Sequence, residues 1–261
     1  REYLTFLESQ NALVVGLTTA WDRSHRAIVL ENLGLHGIEG SEFSIDEARK
    51  QLVASGKWDE EIKMAETFLA DCSEIINAVD ISNEKMRLLL RKRIDSFFRT
   101  EMGVSWNSEG RMTTPGNKTQ LAKIMAKWDV IGHRRKAETA QSLRRNYGGK
   151  DGVSIAIGDG FNDRQMLAEA DWSIGINGAK AAQAAKIGVI TNDVSCLIEI
   201  IKLIQGSPDS TSENIAWVVH LAQEALGGRA IVHVGGGDTP LYFLEIHNHM
   251  KKTLRGNLPT P

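Results

Sequence analysis

Val153-Ser154-Ile155-Ala156-Ile157-Gly158-Asp159-Gly160-Phe161-Asn162-Asp163 is the stretch on which the reading of the fold turns. Its first half is a nearly unbroken apolar run without polar alternation, the pattern of a strand buried on both faces. Its second half is a glycine-punctuated turn holding two carboxylates. Beyond it, Met166, Leu167 and Ala170 fall on one helical face. A short strand over 172–176, a helix over 179–186 and the apolar run Gly188-Val189-Ile190-Thr191 follow. This β-α-β-α-β alternation with short loops predicts an α/β fold built on a doubly wound parallel sheet.

Working back from that stretch, helical spacing covers roughly 135–146, closed by Gly148-Gly149, and 119–128. The N-terminal part reads as a helix over 2–10, a buried strand Leu13-Val14-Val15-Gly16-Leu17 ending at Thr18-Thr19, and a helix over 23–33 stopped by Gly34. Residues 41–101 differ: three or four helices, near 45–55, 60–79 and 83–99, with Ser44, Asp59 and Ser82 where N-caps are wanted. Turn formers over 104–116 suggest a hairpin leading back. The expected organisation is an α/β core from 1–40 and 116–206, an inserted mostly helical cap over 41–115, and a C-terminal extension over 207–261. That extension opens on a Ser/Pro/Asp-rich linker, then offers a helix, a strand over 230–234, a glycine run and a last helix.

The 261 residues and the apolar share of 42% suffice for one α/β domain carrying an insertion. A formal net charge of -2 gives no bulk attraction to nucleic acid or to an anionic membrane. No basic–aromatic interleaving points to nucleic acid either. Two cysteines, Cys72 and Cys196, lack metal-ligand spacing and read as buried thiols of a reducing, cytoplasmic compartment. No apolar run approaches a membrane span and no signal peptide is evident. His247 and His249 sit two apart on the last helix and so point to different faces, which speaks against a shared metal site with His233.

The chemistry concentrates in the glycine turn. Asp159 and Asp163 straddle it and lie off the carboxyl end of a strand, where open parallel sheets place their sites. Two converging carboxylates repel unless a cation lies between them. Magnesium takes one or two carboxylates and fills its shell with waters and phosphate oxygens. Asn162 and the start of the helix supply hydrogen bonds that orient such ligands. The competing reading is an ordinary Asp/Asn/Gly turn capping a helix.

The run Gly158-Asp159-Gly160-x-Asn162-Asp163-x-x-Met166-Leu167-x-x-Ala170-Asp171 and the strand after it resemble the fourth motif of the haloacid dehalogenase (HAD) superfamily of phosphatases. The resemblance covers 117–205 strongly and 1–40 weakly. It implies a HAD-like, Rossmann-type core, with Asp159 and Asp163 as magnesium ligands. It implies phosphate binding and charge neutralisation by Lys136, in His133-Arg134-Arg135-Lys136-Ala137-Glu138, with Arg135 as the alternative register. Thr18, at the end of the first apolar strand, matches the family's hydroxyl donor to phosphate, with Thr19 beside it. A basic helix face including Arg144 and Arg145, and a helix-capping threonine, are the plainer alternatives.

The family's nucleophile motif, Asp-x-Asp-Gly-Thr, does not occur. Gly237-Asp238-Thr239 offers a single carboxylate outside the pattern. The chain starts at Arg1 with helix-spaced Tyr3, Leu4 and Leu7, as though an element had been cut into. The expectation is a magnesium-dependent phosphomonoesterase working through an aspartyl-phosphate whose nucleophile lies upstream, so that residues 1–261 alone have little or no activity. The substrate class is a small phosphorylated metabolite such as a sugar phosphate; the oligomeric state is left open. The alternatives are a non-catalytic HAD-like module that binds a phosphate-bearing ligand or partner, and a detached phosphorylation domain of a cation-pumping ATPase. The lack of a span and of Asp-Lys-Thr-Gly-Thr tells against the last.

Overall fold

The computed structural model describes residues 2–9, 12–18, 35–40, 44–78, 82–106, 112–114, 116–127, 132–148, 152–207 and 209–255. The chain divides into two compact units. One comprises Arg1–Ala20, Ser24–Gly40 and Val130–Pro261, the other Trp21–Arg23 and Ser41–Asp129.

The first unit begins with α1 (Glu2–Ser9) and β1 (Val15–Thr18), and β2 (Gly37–Gly40) pairs parallel to β1 from Val15↔Gly37 to Thr18↔Gly40. The apolar pattern gives no sign of β2, because its sequence Gly-Ile-Glu-Gly has one large apolar side chain and no alternation to read. The helix expected over 23–33 lies outside the described residues, as does Thr19.

The second unit is helical. It contains α2 (Ile45–Ala54), α3 (Trp58–Asn77) and α4 (Asn83–Asp95), which runs into a π-helical turn over Ser96–Glu101. A short antiparallel hairpin, β3 (Ser105–Trp106) with β4 (Met112–Thr114), and α5 (Gln120–Met125) complete it. Ser44 and Ser82 are the caps expected of them, accepting from the amides of Glu47 (3.2 Å) and Lys85 (3.3 Å). Asp59 is not a cap: Lys57 holds that position, and Asp59 joins Glu60 and Glu61 in the first turn, where the helix dipole favours acids.

Glu61 is buried, and its carboxylate accepts from the amides of Gln120 (2.7 Å) and Leu121 (2.6 Å), closing the open end of α5. On α5, Ile124 packs with Leu52 and Ala122 with Phe97 and Met102. These contacts set the edge of the unit at Asp129, against an expected edge at 115. Amphipathic spacing predicts that α5 is a helix; which unit receives its apolar side is decided by packing. Arg93 lies 5.1 Å over the Phe68 ring and is held by Asp71 (2.7 Å) and Glu101 (2.6 Å).

The chain returns to the α/β unit through α6 (His133–Tyr147), β5 (Ile155–Gly158), a single 3-10 turn (Phe161–Asp163), α7 (Arg164–Glu169), β6 (Trp172–Ile176), α8 (Ala179–Ala182) and β7 (Ile187–Ile190). Then come α9 (Cys196–Gln205), α10 (Ser212–Leu226), β8 (Ile231–Val234) and α11 (Leu241–Arg255). The sheet order is β5-β6-β7-β8, with β5 to β7 parallel and β8 antiparallel to β7.

Apolar layers cover both faces, as a doubly wound sheet requires. Ile155 and Ile157 turn to the layer that holds Trp172, Ile174, Ile200 and Val218. Ala156, between them, turns to the layer of Ala137, Met166 and Leu167. Val14, just before β1, joins the first layer, and Leu17 within it joins the second, so this strand spans both layers although it does not pair with β5.

The residues beyond 206, expected as an extension, are built into this unit. Ile215, Val218, Ala222 and Leu226 of α10 and Val232 of β8 lie in the same core cluster as Trp172 and Ile187. Each of the isoleucine, valine and leucine side chains contributes roughly 1.5–3 kcal/mol by leaving water. A buried histidine pair fixes α11 to β8, with His233 Nε2 and His247 Nε2 2.8 Å apart and the His233 ring stacked on Phe243 at 4.2 Å. His233 Nδ1 is 2.8 Å from the Val234 carbonyl, so that nitrogen carries the proton and His247 Nε2–H donates across the pair. His247 Nδ1 is left without a hydrogen-bond partner among the described residues. His249 is exposed and takes no part in the pair.

Candidate active site

The site forms where β5 ends. Gly158 is the last residue of that strand, and a Cβ there would lie 2.6 Å from Asp163 Cβ, so the acidic loop folds back only over a glycine. The backbone of Gly178, after β6, presses on the main-chain oxygen of Asp159 and leaves no room for a side chain. Asn177, beside it, takes φ 50°, in the left-handed region that asparagine tolerates best among residues with a Cβ. Its amide locks that turn by donating to Thr191 O (2.6 Å) and accepting from Thr191 N (2.9 Å). The loops after β5 and β6 therefore back onto one another at the carboxyl end of the sheet.

Asp163 organises the interior of this end. It is buried; its Oδ1 accepts from Lys136 Nζ at 2.6 Å and its Oδ2 from the amides of Asp159 (3.2 Å) and Gly160 (3.0 Å). Lys136 is buried as well, both side chains being 7% exposed. Between the two registers open in the sequence, Lys136 faces the loop. Arg135 lies on the outer surface, 3.6 Å from Glu138. Arg144 also points outward and pairs with Asp171 at 3.0 Å.

Asp159 differs from Asp163 in its surroundings, with its carboxylate 45% exposed at the mouth of the loop. Lys251, from α11, lies against it: Nζ is 3.3 Å from Asp159 Oδ2 and donates to Asp159 O at 2.7 Å. Asn162 is half-buried on the loop, its Oδ1 close to the Cα of Gly160. Phe161 projects outward, with His133 edge-on at 4.6 Å and the Arg164 guanidinium at 5.3 Å. Thr18 closes β1 opposite Gly40.

The arrangement brings Asp159, Asp163, Asn162 and Lys136 to one end of β5. It does not bring Asp238 there. Because β8 runs antiparallel, with Val234 beside Ile187, the Gly237-Asp238-Thr239 turn lies at the opposite end of the sheet. That removes it as a substitute nucleophile. Sequence reasoning missed Asn177 and Lys251. The dipeptide Asn177-Gly178 is a turn signal that marks the first; nothing local marks the second, which stands 92 positions from its partner.

As donors for a hard cation, the residues present fit a partial magnesium shell. Asp159 offers a half-exposed carboxylate on an ordered loop, and no cluster of three or more His, Cys, Asp or Glu exists among the described residues. That suits a metal that keeps its waters and takes phosphate oxygens. Asp163 reaches such a metal only if it shares an oxygen already accepting hydrogen bonds.

A parallel sheet with a glycine-flanked acidic loop at its carboxyl end and a lysine buried beneath that loop is the arrangement that the resemblance to haloacid dehalogenase-like hydrolases implies. Residues 128–195 match the family model described as haloacid dehalogenase-like hydrolase. The chain is also similar to the solved structure of a gene product from Archaeoglobus fulgidus, at 18% identity and a TM-score of 0.62, over 98% of this chain and 69% of that one. Identity at that level speaks for the fold alone. No curated protein matches the chain. No helix among the described residues is long and apolar enough to cross a membrane.

Proposed function

We propose that the protein is the metal- and phosphate-binding part of a magnesium-dependent phosphomonoesterase acting on a small phosphorylated metabolite. The observation that carries this reading is the buried Lys136–Asp163 pair beneath the exposed Asp159 carboxylate. Asp163 holds the Lys136 ammonium in a dry position where its charge is little screened. From there the ammonium neutralises oxygens of a transferring phosphoryl group, with Thr18, Thr19 and Asn162 as the further phosphate donors of this reading. Asp159 holds magnesium, which when bound offsets the negative charge of phosphate and nucleophile together.

The attacking carboxylate lies outside residues 1–261 in this reading. Two facts support that: no Asp-x-Asp occurs in the sequence, and β1 and β5 share the same two apolar layers without pairing. Each pairs on one side only among the described residues, which leaves a place in the sheet for a strand between them. A nucleophile at the carboxyl end of that strand would stand beside Asp159, where an aspartyl-phosphate requires it.

The test has two arms. Titration calorimetry with magnesium should give weaker affinity for Asp159→Ala than for the unsubstituted chain; equal affinities would remove the metal assignment. For the nucleophile, the codons upstream of Arg1 are read and the extended chain is assayed on p-nitrophenyl phosphate. An in-frame Asp-x-Asp-Gly-Thr that brings magnesium-dependent turnover, against background for residues 1–261, supports the reading. An unrelated upstream sequence and no turnover would favour a non-catalytic module that binds phosphate-bearing ligands.

A further inference from the structure

The contact between Lys251 and Asp159 joins the end of the chain to the candidate metal loop, and neither sheet topology nor the loop's own sequence calls for it. The helix that carries it is anchored to β8 by the histidine pair. His247 and Lys251 stand four apart on α11 and so share a face. His247 is buried against His233, and Lys251 reaches the loop, so one side of α11 is pinned to β8 and ends on Asp159. Lys251 is mostly enclosed, its side chain 17% exposed, and it makes two contacts with one residue, the carboxylate and the main-chain oxygen. A lysine held in this way has lost much of its rotamer freedom.

We propose that Lys251 is an internal competitor for the divalent cation: a positioning residue that holds the Asp159 carboxylate and sets how tightly magnesium binds there. The inference rests on the reading of Asp159 as a metal ligand. An ammonium 3.3 Å from the carboxylate occupies one of the approaches a cation needs. A dication that takes the carboxylate also meets the repulsion of a fixed positive charge. Lys251 therefore keeps the metal-free loop in its folded shape and lowers its affinity for magnesium. The cation gains Asp159 only as the ammonium withdraws along its flexible stem.

The full 261-residue chain is titrated with magnesium alone, in the absence of any phosphate, as the unsubstituted protein and as Lys251→Met, Lys251→Arg and Asp159→Ala, each first shown to be folded by circular dichroism. Lys251→Met keeps the length and the apolar stem and removes the charge. It should bind magnesium more tightly, on the order of tenfold, the scale of losing one partly screened charge contact. Lys251→Arg keeps the charge and should remain near the unsubstituted value. Equal or weaker binding by Lys251→Met overturns the proposal, as does tightening by Lys251→Arg to the same degree. Asp159→Ala separates the two readings. If it abolishes binding while Lys251→Met changes nothing, the metal site stands and the competitor falls. If it leaves binding intact, the metal assignment itself falls, and the competitor with it.

Discussion

Lys136 and Asp163 illustrate how much depends on single residues here. Their charges are buried together, and the worth of the pair lies less in its attraction than in the penalty of breaking it. Lys136→Met leaves the Asp163 carboxylate enclosed with only two backbone amides to receive it. We expect a loss of about 3 kcal/mol in urea unfolding with an unchanged m-value; a loss under about 0.5 kcal/mol would mean that water reaches the carboxylate. At this scale the sequence was partly legible. The glycines and carboxylates of the loop announce a site because few other residues can make that turn. The register that selects Lys136 over Arg135 also follows from the helix, once its buried side is known. The different environments of Asp159 and Asp163 were not legible, since two aspartates four apart look alike until the fold buries one.

At the scale of the element, helices with strong caps declare themselves and the others depend on partners. Ser44 and Ser82 are capped locally and were readable; α5 takes part of its cap from Glu61, 59 residues away, and was readable only as a helix. Glu61→Ala should leave two partly buried amides without this acceptor and cost about 1–3 kcal/mol, with faster hydrogen exchange at Gln120 and Leu121 as its local signature. Exchange at those two amides that is unaltered would show that water or Thr119 replaces the carboxylate. The strand β2 escaped for the opposite reason. Its two glycines and one isoleucine carry no period, and pairing with β1 alone makes it a strand.

Across the whole molecule, the α/β alternation from 133 to 190 carried the parallel sheet, because β-α-β connections leave little freedom of topology. The turn of β8 to run antiparallel, and the return of α11 toward Asp159, arise from contacts far apart in sequence and have no local signal. The histidines that fasten α11 make this part of the fold sensitive to acid. Desolvation, then the neighbouring His233, push His247 from 6.5 down to about 4, and burial lowers His233 too. Between those values the unfolded chain binds protons that the folded chain refuses, so stability rises with pH through the window. It is complete above about 6.5 and falls progressively toward pH 4. The His247 part amounts to on the order of 3 kcal/mol. Urea midpoints measured from pH 7 to pH 4.5 should fall, and His247→Phe should flatten that slope; an equal slope in the variant would exclude the pair as its source.

The antiparallel closure of the sheet also fixes an order of events during synthesis. As the chain leaves the ribosome, β5, β6 and β7 and the acidic loop emerge well before β8 and α11, which must travel back along the sheet to reach them. Until residue 251 is free to fold, the newborn domain has a raw strand edge at β7 and lacks the Lys251 contact at Asp159. Closure of the sheet edge at β7 and of the contact at Asp159 thus comes late, after the strands that α11 returns to have been made.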